Sequence, residues 1–281
     1  MERIGFVDRT PVHLLAAGNP TAARLHVLLV HGLGEHAGRH AALIDRLVHA
    51  GHAVTAYDQR GHGQSGGARG RIPRDDALLS DLACVIDHLR LRLPPACPLV
   101  LLGHSMGGAV AARFVAEGLM PAPAAWYRPV RALALSSPAL AADLNALQRL
   151  LLAAGRWLPD AAAGNGLKPE WISRDPAVVR AYRADPLVHD RVTPRLARFI
   201  LTAGQQVVTL APRWTVPTLL MWAGADRCVA PRGAAAFAAA VPPGIVQGRC
   251  FDGLYHEIFN EPEREEAVSM LLDWLDRVVP A

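Results

Sequence analysis

Leu99-Val100-Leu101-Leu102-Gly103-His104-Ser105-Met106-Gly107-Gly108 opens as an apolar run of strand length and reaches a serine with glycines two positions to either side. It continues into Ala109-Val110-Ala111-Ala112-Arg113-Phe114-Val115, a helix-forming stretch. Strand, tight turn, helix is the context in which G-x-S-x-G denotes a nucleophile raised on an elbow. The glycines supply space. A serine on so sharp a turn is backbone-strained, and side chains two positions away would collide. The turn also sets Ser105 at a helix start, where free N–H groups and the positive dipole end favour an oxyanion. A chance match in a glycine-rich chain is the competing reading, and the flanking strand and helix weigh against it.

Upstream, residues 4–7 and 12–16 read as short strands, and 25–30 is a near-continuous apolar strand of the kind buried on both faces of a parallel sheet. That strand runs straight into His31-Gly32-Leu33-Gly34-Glu35-His36. A small-residue loop leaving a central strand brings backbone N–H groups close to a reacting carbonyl. The Leu33 amide is therefore the candidate second oxyanion donor, beside that of Met106, the residue after the serine. A helix over 38–50 and a strand over 53–57 lead to Asp58-Gln59-Arg60-Gly61-His62-Gly63-Gln64-Ser65-Gly66-Gly67, a loop whose glycines mark unusual backbone angles. Asp58 and Arg60 are read as tying that loop down. A helix over 75–93 precedes the elbow strand, and a strand over 130–135 follows the elbow helix, ending at Ser136-Ser137-Pro138.

The pattern then changes. Between 139 and 214 no buried-strand run appears; Leu140, Leu144, Leu147 and Leu151 recur at helical spacing, and short helical pieces follow. This predicts a helical cap inserted between two parts of an α/β core, 1–138 and 215–281. Strand and helix alternate again over 216–222, 231–240, 245–251 and 261–279.

A serine needs a base to take its proton and an acid to hold that base. In chain order the acid comes next and the histidine last, and functional groups sit at the carboxyl ends of strands. Asp226 directly follows the strand ending at Trp222, and His256 directly follows the one ending at Phe251. Asp252 and Glu257 are the rival acids, but neither leaves a separate strand end. His31, His36, His62 and His104 line or support the site in this reading. No metal or cofactor is expected: Asn260 stands where H-E-x-x-H needs its second histidine, and His31, His36 and His40 have no matching cysteine or carboxylate cluster.

Composition sets the outer bounds. The 281 residues are 51% hydrophobic and 19% charged, which describes a globular chain long enough for one large α/β domain with an insertion. The net charge of +4 is spread along the chain, which argues against nucleic-acid binding. No apolar run reaches membrane-span length, and the first residues lack a charged-then-apolar leader. Cys84, Cys97, Cys228 and Cys250 have no C-x-x-C spacing, so reduced thiols and a cytoplasmic location are expected.

His31 to His40, Asp58 to Ser65, Gly103 to Gly108, Asp226-Arg227-Cys228-Val229 and His256 to Glu261 together resemble the signature blocks of the monoacylglycerol lipase-like branch of the α/β-hydrolases, often described as lysophospholipases or serine aminopeptidase-like hydrolases. Ser173-Arg174-Asp175-Pro176 through Asp185-Pro186-Leu187-Val188 resembles its cap. The resemblance spans about Phe6 to Leu272. It implies an α/β-hydrolase fold: a mostly parallel central sheet, helices on both faces and an inserted helical cap. It further implies hydrolysis of fatty acyl esters with a small polar head through an acyl-enzyme, by Ser105, Asp226 and His256 with the Leu33 and Met106 amides. His40 stands where tyrosine is usual, and Leu33 is bulkier than the small residue of the mammalian enzyme, so its side chain narrows the pocket.

Lysophospholipase or short-chain esterase action are the alternatives within this class. A non-catalytic binding protein on the same scaffold is the alternative outside it. Two readings of the leucine stripe stand side by side. It packs on the core, or part of it, Leu147 and Leu151, lines an acyl tunnel or touches lipid at the tunnel's mouth, with transient contact of the cap with a membrane surface.

Overall fold

The computed structural model describes residues 3–6, 8–144, 146–155 and 157–279. Its framework is a sheet of strands β1 (Arg3–Gly5), β2 (Pro11–Ala17), β3 (His26–Val30), β4 (Ala53–Tyr57), β5 (Leu99–His104) and β6 (Ala132–Ser136), completed by two later strands. A separate antiparallel pair, β7 (Ala163–Gly164) with β8 (Arg191–Val192), lies in the 139–214 stretch. The last two sheet strands are β9 (Thr218–Ala223) and β10 (Val246–Phe251). The eight-stranded order is β1-β2-β4-β3-β5-β6-β9-β10, parallel from β4 to β10 and antiparallel only where β2 meets β1 and β4.

The central strands are apolar at consecutive positions because helices cover both faces. Leu28, Val30 and Leu101 point into one cluster with Leu82 and Ile86 of α2 (Ala77–Arg90) and Val110 and Phe114 of α3 (Met106–Ala116). Val27, Leu29, Val100 and Leu102 point the other way, onto Leu43 and Leu47 of α1 (Ala41–His49) and Leu271 and Trp274 of α8 (Arg264–Val278). Expected and observed helices differ at their starts. The 38–50 helix begins as a 3₁₀ turn over Ala37–His40, and α8 begins three residues late because buried Glu261 serves other contacts.

Between β6 and β9 the chain forms α4 (Ala146–Ala154), α5 (Pro176–Ala184) and α6 (Pro194–Leu210). The leucine stripe is corrected here: Leu140 and Leu144 precede α4 and do not lie on it. Leu140 is buried in the core, and its backbone runs so close to Gly204 that a Cβ there would stand 2.5 Å from the Leu140 carbonyl oxygen. The Ala141 carbonyl accepts from the Ala230 amide at 3.0 Å. Tertiary packing thus keeps this segment out of a helix against its own periodicity. The side chains of Leu147 and Leu151 lie outside the described residues. At the far end of the stretch, α6 packs on α3 and adds Leu196, Phe199, Ala203 and Val207 to the core.

Candidate active site

Register brings the strand ends level: Val30 sits opposite Gly103, and His104 opposite Ser136. The loops leaving β3, β5, β9 and β10 therefore open at one edge of the sheet. Ser105, between β5 and α3, has φ of 54°. The flanking glycines are sterically required. A Cβ on Gly107 would lie 2.1 Å from the Val30 carbonyl oxygen, and one on Gly103 would lie 2.6 Å from that of Gly107.

The structure brings Ser105, His256 and Asp226 together, 151 and 30 residues apart in pairs along the chain. Ser105 Oγ lies 2.8 Å from His256 Nε2, and His256 Nδ1 lies 2.6 Å from Asp226 Oδ2. Asp226 Oδ1 accepts from the amides of Cys228 at 2.7 Å and Val229 at 3.0 Å, which fixes the carboxylate's direction. Burial disfavours the His256 imidazolium, but the Asp226 carboxylate beside it outweighs that cost, and the histidine's pKa is raised above 6.5. The rival Glu257 is otherwise engaged: both its oxygens accept from Arg39 Nη2 at 2.6 Å.

The loop after β3 is held by buried polar contacts. Gln59 N–H donates to His31 Nε2 at 2.9 Å, leaving His31 Nδ1–H to donate to the Gly32 carbonyl at 2.8 Å. Gly32 N–H donates to Glu35 Oε1 at 2.6 Å. Burial would raise the Glu35 pKa, yet His40, His104 and Arg39 hold it well below the usual carboxylate range. Arg39 also stacks over the Tyr182 ring at 4.5 Å. Asp58 accepts from the Ala37 amide at 2.8 Å, and Arg60 pairs with Asp81 at 2.7 Å, so both tie loops down. Among the described residues, the amides of Leu33 and Met106 have no acceptor in the chain. Glu35 is a residue the spacing argument passed over; its sequence signal is a glutamate within the glycine loop.

An apolar cleft of about 420 Å³ opens at Ser105, walled by Leu33, Met106, Leu144, Trp171, Ile200 and Leu201. A smaller compartment of about 30 Å³ adjoins it on the His256 side, bordered by Glu35, His104, Lys168 and Tyr182. The His104 ring centroid lies 4.8 Å from that of His256, and burial keeps His104 neutral, its pKa far below 6.5. Ligand atoms of Asp226, Cys228 and His256 lie within 4.8 Å of one another. Burial, with Asp226 and Glu257 nearby, pushes the Cys228 thiol above its usual range.

This sheet order, with a serine elbow at its centre and aspartate and histidine on later strand ends, defines an α/β-hydrolase. The chain belongs to the Hydrolase_4 family, described as serine aminopeptidase, S33, whose profile matches residues 21–263. It is 34% identical over 258 residues to the monoacylglycerol lipase of Mycolicibacterium smegmatis, covering 89% of this chain and 87% of that one. It is 32% identical over 250 residues to an uncharacterized abhydrolase domain-containing protein of Dictyostelium discoideum, of which it spans only 26%. The solved structure of Paleococcus ferrophilus monoacylglycerol lipase superposes with a TM-score of 0.82 at 32% identity, covering 95% of this chain and 99% of that one.

Proposed function

We propose that this chain hydrolyses carboxylic esters of fatty acyl chains, of the monoacylglycerol type, through an acyl-enzyme and without a cofactor. The observation that carries the reading is the unbroken Asp226–His256–Ser105 hydrogen-bonded line opening into an apolar cleft. Ser105 Oγ attacks the ester carbonyl as His256 Nε2 takes its proton, and Asp226 holds the imidazolium through Nδ1–H. The developing oxyanion accepts from the Leu33 and Met106 amides, which have no acceptor among the described residues. His256 then passes its proton to the leaving alcohol, and water repeats the sequence to release the acid.

The acyl chain fills the apolar cleft, and the alcohol leaves through the compartment that His256 borders. Leu33 and His104 contact substrate there. Residues 139–214 act as the cap over the core parts 1–138 and 215–281. Exposed Leu150, Trp157 and Leu158 (66%, 81% and 68%) support transient contact of this cap with a membrane surface. Among the described residues no helix is long and apolar enough to cross a membrane. Four free cysteines fit a reducing, cytoplasmic compartment.

Peptidase action is disfavoured. The carboxylates beside His256, Glu35 and Glu257, are both taken by Arg39 and are not free to hold a substrate ammonium. One feature favours a second reading, a lysophospholipid: Lys168, the sole lysine in the sequence, borders the alcohol compartment, where a head-group phosphate would meet it. The test is kcat/KM on a monoacylglycerol, a lysophospholipid and an acetyl ester of equal solubility, with fluorophosphonate labelling mapped by mass spectrometry. Labelling at Ser105 and preference for the monoacylglycerol are expected. An unlabelled Ser105, or turnover retained in Ser105→Ala, overturns the mechanism; preference for another ester overturns only the substrate.

A further inference from the structure

A second hollow, of about 400 Å³, lies between α2, α3 and α6, away from the serine. Helix α6 separates the two spaces: Ala197, Ile200 and Leu201 face the cleft beside Ser105, whereas Arg198, Thr202 and Gln206 face this hollow. Two guanidinium groups line it. Arg113 donates through Nε to Gln206 Oε1 at 2.7 Å, pairs with Glu117 at 2.7 Å and lies over the Trp126 ring at 5.4 Å. Its Nη1 is buried with no acceptor. Arg198 Nη1 is likewise buried without an acceptor, and Arg198 has no ion-pair partner among the described residues.

Buried guanidinium N–H groups without acceptors are costly, because desolvation is not offset by a hydrogen bond. The carboxylates around the hollow do not supply the missing partners. Glu117 Oε2 lies 2.7 Å from Arg113 Nη2 as an ion pair without a directed hydrogen bond, and Oε1 takes the Ala124 amide at 2.7 Å. Asp76 pairs with Arg74 at 2.5 Å, and Asp75 faces Arg195 at 3.5 Å. One uncompensated positive charge remains, on Arg198. Beside it, Leu79, Trp126 and Phe199 offer apolar surface.

We propose that this hollow binds an organic monocarboxylate with an apolar or aromatic body, its carboxylate accepting from the Arg198 guanidinium and its body resting on Trp126 and Phe199. A guanidinium pair with a carboxylate is a strong, directional match. With Asp75, Asp76 and Glu117 each facing an arginine, a monoanion balances Arg198, whereas a phosphate dianion exceeds it. Acids released by ester hydrolysis belong to this ligand class, but the site stands on its own residues whatever the reaction at Ser105.

Calorimetric titration of the full chain with phenylpropanoate, phenylpropanol and phenyl phosphate tests this. The carboxylate should bind at one site per chain, at least about tenfold tighter than the neutral alcohol or the phosphate. Arg198→Gln should weaken carboxylate binding by about tenfold or more, and Arg198→Lys by less. Equal carboxylate affinity in Arg198→Gln overturns the proposal and places the ligand elsewhere, including the Ser105 cleft. So does an alcohol or phosphate that binds as tightly, or no binding at about 10 mM. Should Arg198→Gln fail to fold, Thr202→Asp, at an exposed position lining the hollow, decides: carboxylate binding weakened by about tenfold supports the proposal, and unchanged binding overturns it.

Discussion

Gly34 and His189 meet backbone to backbone. The His189 amide donates to the Gly34 carbonyl at 2.9 Å, and a Cβ on Gly34 would stand 2.3 Å from the His189 carbonyl oxygen. This contact joins the loop carrying Leu33 to the segment between α5 and β8. A second tie, His36 Nε2 to Asp185 Oδ2 at 2.8 Å, reinforces it. The position of the Leu33 amide therefore depends on residues more than a hundred positions away.

Gly34→Ala should separate these segments, because Gly34 has φ of 78° and no room for a methyl. A stability loss on the order of 1–3 kcal/mol is expected from backbone strain. If the Leu33 amide receives the oxyanion, kcat falls by at least about tenfold at the ester carbonyl while KM changes little. Urea denaturation and steady-state kinetics on the same preparation check both. An unchanged kcat would mean that the loop does not position the donor.

Asp226→Asn should fold and lose roughly 10³ to 10⁴ in kcat, since the amide no longer holds the imidazolium or its tautomer. The pH profile gives a sharper signature. His256 must be neutral at Nε2 to take the serine proton, and its pKa is raised by Asp226, so activity should rise with pH through a midpoint above 6.5. Removing the carboxylate's charge should move that midpoint to lower pH. An unmoved limb would assign the acid elsewhere.

Acyl-chain preference should follow the apolar cleft. Each buried substrate methylene contributes up to about 0.8 kcal/mol, close to fourfold in kcat/KM, until the cleft is full. Ile200→Ser, on the α6 wall, should flatten the climb from acetyl toward medium-chain esters and leave acetyl turnover nearly unchanged. The same comparison at Leu147 and Leu151 decides whether α4 also meets the chain. A variant that keeps the original slope removes that residue from the acyl path.

Stability should fall as pH drops from about 6.5 toward 4. Burial lowers the pKa of His26 to about 4, and it also lowers those of His31, His52, His62 and His104. In this window the unfolded chain takes up protons that the folded chain refuses. Each such histidine contributes a slope of up to about 1.4 kcal/mol per pH unit, lost once the folded form also protonates. His189, also lowered to about 4 by burial and then Arg69, is more open to solvent and contributes less. His256, with its raised pKa, works in the opposite sense. Urea denaturation at several pH values checks the slope, and His26→Asn should reduce it.

The order of strands and helices and the serine elbow were legible from residues near one another in the chain. Apolar runs name strands covered on both faces, and the glycines around Ser105 name a turn with no space for Cβ atoms. Chain order and strand ends then pointed to Asp226 and His256, which the structure brings within hydrogen-bond reach of one another and of Ser105. These are local signals, set by steric limits and burial within a few residues.

Tertiary structure alone decided which distant partners meet. Leu140 and Leu144 follow a helical period yet precede α4, because packing against α6 and α7 (Pro231–Ala240) outweighs that propensity. Arg39 and Glu257 are 218 residues apart, and Gly34 meets His189 through backbone atoms that carry no side-chain signal. Arg113 and Arg198 share a hollow only because α3 and α6 pack together. Periodicity says which face of an element is apolar. Which other element covers that face, and which charges are thereby buried together, depends on contacts that form only when the whole chain has folded.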